Sequence, residues 1–179
     1  FKSSEIFDDA LIFLHLLKRP KTNTNSAPNH VFKKLKKEAK DEYNFKDTDE
    51  LWMIIDTDRW KNIPDIISEC KKQSNMFVAV SNPCFEFWLL LHFAYRTAPI
   101  VRKANKSPAD ECVKLLKRYI TDYDKSKIKD YFAELLQKIE TAKINAAKLR
   151  IELLSTGSIN PATDLDLLIQ SMENNFLDK

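Results

Sequence analysis

The chain has 179 residues, 44% of them hydrophobic and 31% charged, with a formal net charge of +3. That is enough for one good core, or a core with a smaller appendage, and too balanced for a global argument about nucleic acid. Its single glycine, Gly157, excludes a P-loop and a Rossmann dinucleotide fingerprint, since both need glycines where backbone approaches phosphate.

Three cysteines, Cys70, Cys84 and Cys112, lie far apart and in no paired spacing, which argues against a disulfide framework or a zinc site and fits a reducing cytoplasm. The longest apolar runs are interrupted by His15, Glu86 and His92 and are too short to span a membrane, so the expectation is a soluble, cytoplasmic protein.

In chain order, Phe7 and then Leu11 to Leu17 form a first apolar run that is either a buried strand or the end of a helix, because periodicity cannot decide for so short a stretch. His15 within it reads as a core or edge histidine. Pro20 to Pro28 is a polar loop by composition. From about Asn29 to Tyr43, Val31, Phe32, Leu35, Ala39 and Tyr43 recur at helical spacing and predict an amphipathic helix, with Lys33, Lys34, Lys36 and Lys37 on its solvated face.

The next stretch, Leu51-Trp52-Met53-Ile54-Ile55, is too short for an independent helix and reads as a strand buried on both faces, as in a parallel sheet. It stops at Asp56-Thr57-Asp58. Ligands of open α/β sheets sit outside the carboxyl ends of strands, and a side-chain period of two lets Asp56 and Asp58 lean to one side, where two hard oxygen donors suit Mg²⁺. The bland alternative is a polar turn in which Asp58 caps the next element.

Ile63, Ile66, Ile67 and Cys70 predict a short helix, with Pro64 in its first turn, and Met76 to Val80 a second strand. Strand, helix and strand at this separation make a right-handed βαβ unit with parallel strands. One sheet edge then carries Asp56, Asp58, Ser81, Asn82 and Glu86. Asn82-Pro83 reads as a helix start, with Asn82 as N-cap and Pro83 at the first position, opening an apolar helix to about Tyr95. Glu86 sits in that apolar company, where a carboxylate needs a charge partner, a metal or a shifted pKa; the alternative is an acid that favours the helix amino end. His92 reads as structural.

Past Pro99 the pattern turns charged and helical, with amphipathic stretches over about 110–120 and 130–154. Between them, Asp122-Tyr123-Asp124-Lys125 reads as a polar turn with an exposed aromatic. Gly157 ends the long helix, and Thr163 with Asp166 reads as an N-cap and its third-position acid, opening a last helix to Phe176.

Taken together, Ile54-Ile55-Asp56-Thr57-Asp58, the run Ser81-Asn82-Pro83-Cys84-Phe85-Glu86-Phe87-Trp88-Leu89-Leu90-Leu91-His92-Phe93, Tyr123-Asp124-Lys125, and Asn160-Pro161-Ala162-Thr163-Asp164 resemble the RloB-like family of bacterial abortive-infection proteins. The resemblance covers roughly residues 50 to 176. It implies an α/β fold, a Toprim-like parallel sheet flanked by helices (residues 1–100) followed by a C-terminal helical region (101–179).

It further implies anti-phage defence through an Mg²⁺- or Mn²⁺-dependent nuclease acting on DNA or tRNA beside an ABC/SMC-type ATPase, with no membrane association and oligomeric state left open. Asp56 and Asp58 match the Toprim metal-binding pair, with Glu86 a further catalytic candidate. Glu86, Asn82 and Ser81 match the family's own signature, and Lys125, Asn160 and Thr163 match polar positions of its helical part. A Toprim site also needs a glutamate at the end of an earlier strand, and none is found, because Glu5 is followed by too few residues for the strand-helix-strand order. The expectation is that the first strand lies upstream or that the acid has been lost.

Two other classes compete with a nuclease. One is a non-catalytic module that binds nucleic acid or the ATPase and regulates it. The other is a haloacid-dehalogenase-type phosphatase, disfavoured by the bulky Trp60 two positions after Asp58.

Overall fold

A computed structural model describes residues 28–41, 46, 49–57 and 63–177. The apolar run after the charged 46–50 stretch forms strand β1 (Leu51–Asp56), and the second run forms β2 (Met76–Asn82), joined through helix α2 (Ile63–Lys71). The two strands pair in parallel, Leu51 opposite Met76 through Asp56 opposite Ser81. This is the pairing the βαβ spacing predicts, because the crossover returns the chain to the same end of the sheet before the second strand starts. The amphipathic helix at 29–43 is α1 (Pro28–Asp41).

Alternation along β1 and β2 separates two cores. Met53, Ile55 and Met76 pack with Leu35 of α1 and with Ile63, Ile66 and Cys70 of α2. On the other face, Trp52 stacks on Phe77 with ring centroids 4.9 Å apart, and Ala79 joins a larger cluster built from the helices beyond β2.

Those helices are α3 (Glu86–Leu91), α4 (Pro108–Leu116), a 3-10 helix at Lys125–Tyr131, α5 (Phe132–Gln137), α6 (Ile139–Thr156) and α7 (Leu165–Leu177). Phe87, Leu91, Leu116 and Leu149 are among the most deeply buried side chains, so α3 lies inside the helical layer, as its all-round apolar character requires.

Four expectations are corrected. The sheet is mixed, because the two-residue strand β3 (Ala162–Thr163) pairs antiparallel with Ser81 and Asn82 of β2. That pairing keeps Asn82 in the strand, so it does not cap a helix; its amide donates instead to the Ile159 carbonyl at 2.7 Å, and α3 begins only at Glu86. The stretch at 130–154 is not one helix: Lys138, at φ −109° and ψ 8°, separates α5 from α6. Finally, Thr163 belongs to β3, and the Asp164 carbonyl accepts the first bonds of α7, from Leu167 and Leu168.

Gly157 does end α6, in the left-handed region at φ +68° that glycine adopts at little cost. Among the described residues no helix is long and apolar enough to cross a membrane.

Candidate functional site

β1 ends at Asp56 opposite Ser81 of β2, and a side-chain period of two puts both residues on the face that carries Trp52, Phe77 and Ala79, toward α3. Ser81 is buried, and its hydroxyl pairs with that of Thr163 at 3.1 Å. Thr163 also accepts from the Leu165 amide at 3.4 Å. Asp164 then bonds Val80 twice: its amide donates to the Val80 carbonyl at 3.0 Å, and its carboxylate accepts from the Val80 amide at 3.2 Å. A side-chain oxygen thus replaces a strand carbonyl where the backbone turns into α7. Burial pushes the Asp164 carboxyl above its ordinary value against the pull of Val80 and Arg150.

Glu86 opens α3 beside this edge with its side chain only 2% exposed. Lys125, at the start of the 3-10 helix, places its ammonium 2.7 Å from Glu86 Oε1. Tyr123 donates its hydroxyl to the same oxygen at 3.2 Å. The other oxygen, Oε2, is buried and has no hydrogen-bond partner.

Burial alone drives the Glu86 pKa upward, but Lys125, through its bond and its charge, together with the nearby Cys84 thiol and the local backbone, outweighs it and holds the carboxyl below its ordinary range. The ammonium responds in kind: burial lowers its pKa, while Glu86, Cys84 and then Asp56 raise it by more. Asp56 and Glu86 therefore both act on Lys125, Glu86 the more strongly.

Tyr123, expected as an exposed aromatic, is buried at 4% exposure because its hydroxyl finds this carboxylate. Burial and the Glu86 charge push its pKa up. Beneath it, Cys84 and Cys112 are free, buried thiols, and their mutual contact, with burial, pushes that of Cys84 up.

The other candidates have structural partners. Asn160 clamps the backbone of Ile100, accepting from its amide at 3.1 Å and donating to its carbonyl at 3.0 Å. His92 is buried, its Nδ1 bonded to the Trp88 carbonyl at 3.0 Å, and burial lowers its pKa, as fits a neutral structural ring. Asp58 lies outside the described residues.

Among the described residues no three His, Cys, Asp or Glu side chains gather as a metal-ligand set. The oxygens that suit a hard divalent cation here are those of Asp56 and the unpartnered Oε2 of Glu86. The missed signal was Tyr123: an aromatic two residues before a lysine carries no mark of the acid both will reach.

The model of the family described as RloB-like protein matches residues 2–172 of the chain. Neither the comparison with curated proteins nor that with solved structures returns a match.

Proposed function

The chain belongs to the RloB-like family, and from that premise we propose a Toprim-type, Mg²⁺- or Mn²⁺-dependent phosphodiesterase that acts on DNA or tRNA in anti-phage defence, together with an ABC/SMC-type ATPase. The observation that carries the reading is Glu86: a carboxylate held ionised inside an apolar helix, with one oxygen fixed by Lys125 and Tyr123 and the other left without a partner. An unsatisfied buried carboxylate oxygen is costly unless something charged or protic meets it during function.

Asp56, Asp58 and Oε2 of Glu86 would hold the cation, which when bound would screen phosphate charge and lower the pKa of an attacking water. The chain's own groups divide the remaining work. Lys125 and Tyr123 orient Glu86 and keep it ionised. Glu86 then serves as a charged ligand rather than as a base, since Oε1 is taken by Lys125 and Tyr123 and its pKa is held below the ordinary range. Lys125, itself largely exposed, also offers its charge to the phosphate.

The pairing of Glu86 with Lys125 favours a second reading, in which the acid is already neutralised and the chain is a regulatory module that binds nucleic acid or the ATPase without cleaving.

The test is cleavage of DNA and tRNA by the full-length protein, with and without the ATPase, in Mg²⁺, Mn²⁺ or EDTA. Asp56→Ala and Asp58→Ala should abolish cleavage while leaving the melting temperature within a few degrees. Cleavage persisting in both variants refutes the metal assignment. A wild-type protein that cleaves nothing under any of these conditions supports the regulatory module.

A further inference from the structure

Helix α6 is apolar on two opposite sides. One side carries Ala142, Ala146 and Leu149, which are buried in the larger core together with Leu91 of α3. The far side carries Ile144, Ala147, Ile151 and Leu154, all of them exposed. Ile144, Ile151 and Leu154 are 65%, 71% and 80% exposed, so they are not the rim of the core beneath. A helix that is apolar all round is normally buried all round, yet among the described residues nothing covers this second side.

Its pattern is regular. Ile144, Ala147, Ile151 and Leu154 follow one another at spacings of three, four and three residues, which at about 100° per residue keeps them within an arc of about 80°. That is the narrow seam of a coiled coil, not the broad face a globular core needs. The cations beside the seam are matched within the chain: Lys143 pairs with Glu140 and Glu173, and Arg150 with Asp166. Lys148 lies over the Tyr95 ring, 4.3 Å from its centroid. A strongly charged partner would find little here to pair with, whereas a second apolar seam of the same shape fits.

We propose that α6 pairs with α6 of a second copy of this chain, antiparallel about a two-fold axis at the level of Leu149. That register sets Ala147 against the partner's Ile151 and Ile144 against the partner's Leu154, each pair occurring twice, so small meets large along the seam. A parallel pairing would set Ala147 against itself and leave a gap at the centre, which costs stability. The buried side of α6 faces α3, so the seam points away from Glu86 and the dimer leaves the sheet edge open. None of this depends on the phosphodiesterase reading.

The exposed area sets the strength. Ile144, Ile151 and Leu154 each offer about 100 Å² of apolar surface. With Ala147 and the residues flanking the seam, each protomer buries about 600 Å², or about 1,200 Å² in all, the lower end of specific interfaces. Association also costs translational and rotational freedom, so the dimer should be weak, with a Kd on the order of 10 µM.

Sedimentation velocity of the full-length protein from about 1 to 200 µM should therefore show monomer converting to dimer. Ile151→Glu brings two unpaired carboxylates into the seam and should weaken the dimer about tenfold or more. Because Ile151 is exposed, the monomer should keep its melting temperature within about 2 °C. If that variant fails to fold, Ala147→Glu should act in the same way. Val101→Glu, at an exposed apolar residue outside α6, should leave the dimer unchanged.

Orientation is read by cross-linking under a mild oxidant, the native cysteines being buried. Ile144→Cys mixed with Leu154→Cys should give the mixed disulfide. Ile144→Cys alone should not, since antiparallel helices set the two copies of that position about 15 Å apart along the axis. A monomer at every concentration, a dimer that survives both glutamate variants, dissociation by Val101→Glu, or cross-linking of Ile144→Cys to itself would each overturn the proposal. So would vesicles of phosphatidylcholine and phosphatidylglycerol that bind the wild type but not Ile151→Glu, since the seam would then belong to a lipid surface.

Discussion

Replacing Lys125 with Met keeps the apolar stem and removes the charge, leaving Glu86 buried with only Tyr123 and Cys84 against it. Removing one partner of a buried ion pair costs about 3–5 kcal/mol, because the remaining charge is stranded. Here Glu86 is 2% exposed but Lys125 is 67% exposed, so solvent already screens the ammonium and the cost should fall to about 2 kcal/mol. For a chain of this size that corresponds to a melting temperature lower by about 4–8 °C at neutral pH.

The pH dependence is the sharper signature. In the wild type the Glu86 carboxyl lies below its ordinary value; its contribution is therefore present above the unfolded pKa of about 4.3 and lost as pH falls through the folded value. Without Lys125, burial dominates and the folded pKa rises above the unfolded one. Stability is then retained at low pH and lost as pH rises from about 4.3 through the new folded value. Melting followed by circular dichroism between pH 4 and 8 checks this. Glu86→Gln in the Lys125→Met background should recover part of the loss and remove the reversed slope. A Lys125→Met protein that melts with the wild-type pH profile would refute the ion-pair argument.

Tyr123→Phe should cost about 1–2 kcal/mol in urea denaturation, since it leaves Glu86 Oε1 with Lys125 alone, and it should raise the pH at which acid destabilises the protein. Asn160→Ala removes both bonds to the Ile100 backbone and should cost about 2–3 kcal/mol. If Asn160 is structural, any loss of activity should track this loss of stability and recover at lower temperature; loss at full stability would place it in the chemistry.

What was legible in the sequence obeyed short-range rules. The parallel pairing of β1 and β2 came from a run, a helix and a run at crossover spacing. The burial of Glu86 came from apolar neighbours on every side of its helix. What was not legible depended on contacts between distant residues. A two-residue strand such as β3 has no periodicity to detect, yet its pairing holds Asn82 in β2 and moves the start of α3 to Glu86. Nothing in Asp122-Tyr123-Asp124-Lys125 marks Tyr123 for burial, because the reason is a carboxylate 37 residues earlier. The break at Lys138 has no glycine or proline to announce it; there the side chain lies over the Phe93 ring, 4.6 Å from its centroid.

These long-range contacts decide what the sheet edge can be. β1 and β2 by themselves bring only acids and small polar groups to it, and Glu86 placed in an apolar helix beside them would take up a proton rather than stay charged. Lys125 reverses that outcome from the start of the 3-10 helix, and it does so from an exposed position. The same ammonium is thus open to an approaching phosphate. A phosphate that draws Lys125 outward would leave Glu86 short of a counter-charge, and the oxygen that already lacks a partner is where a cation would restore it. Strand binding and cation binding should therefore strengthen one another at this edge. Equilibrium dialysis of Mn²⁺ with uncleavable phosphorothioate strand present should show tighter metal binding than without it, and this gain should disappear in Lys125→Met. Equal Mn²⁺ affinity with and without the strand in the wild type would show that the two are independent.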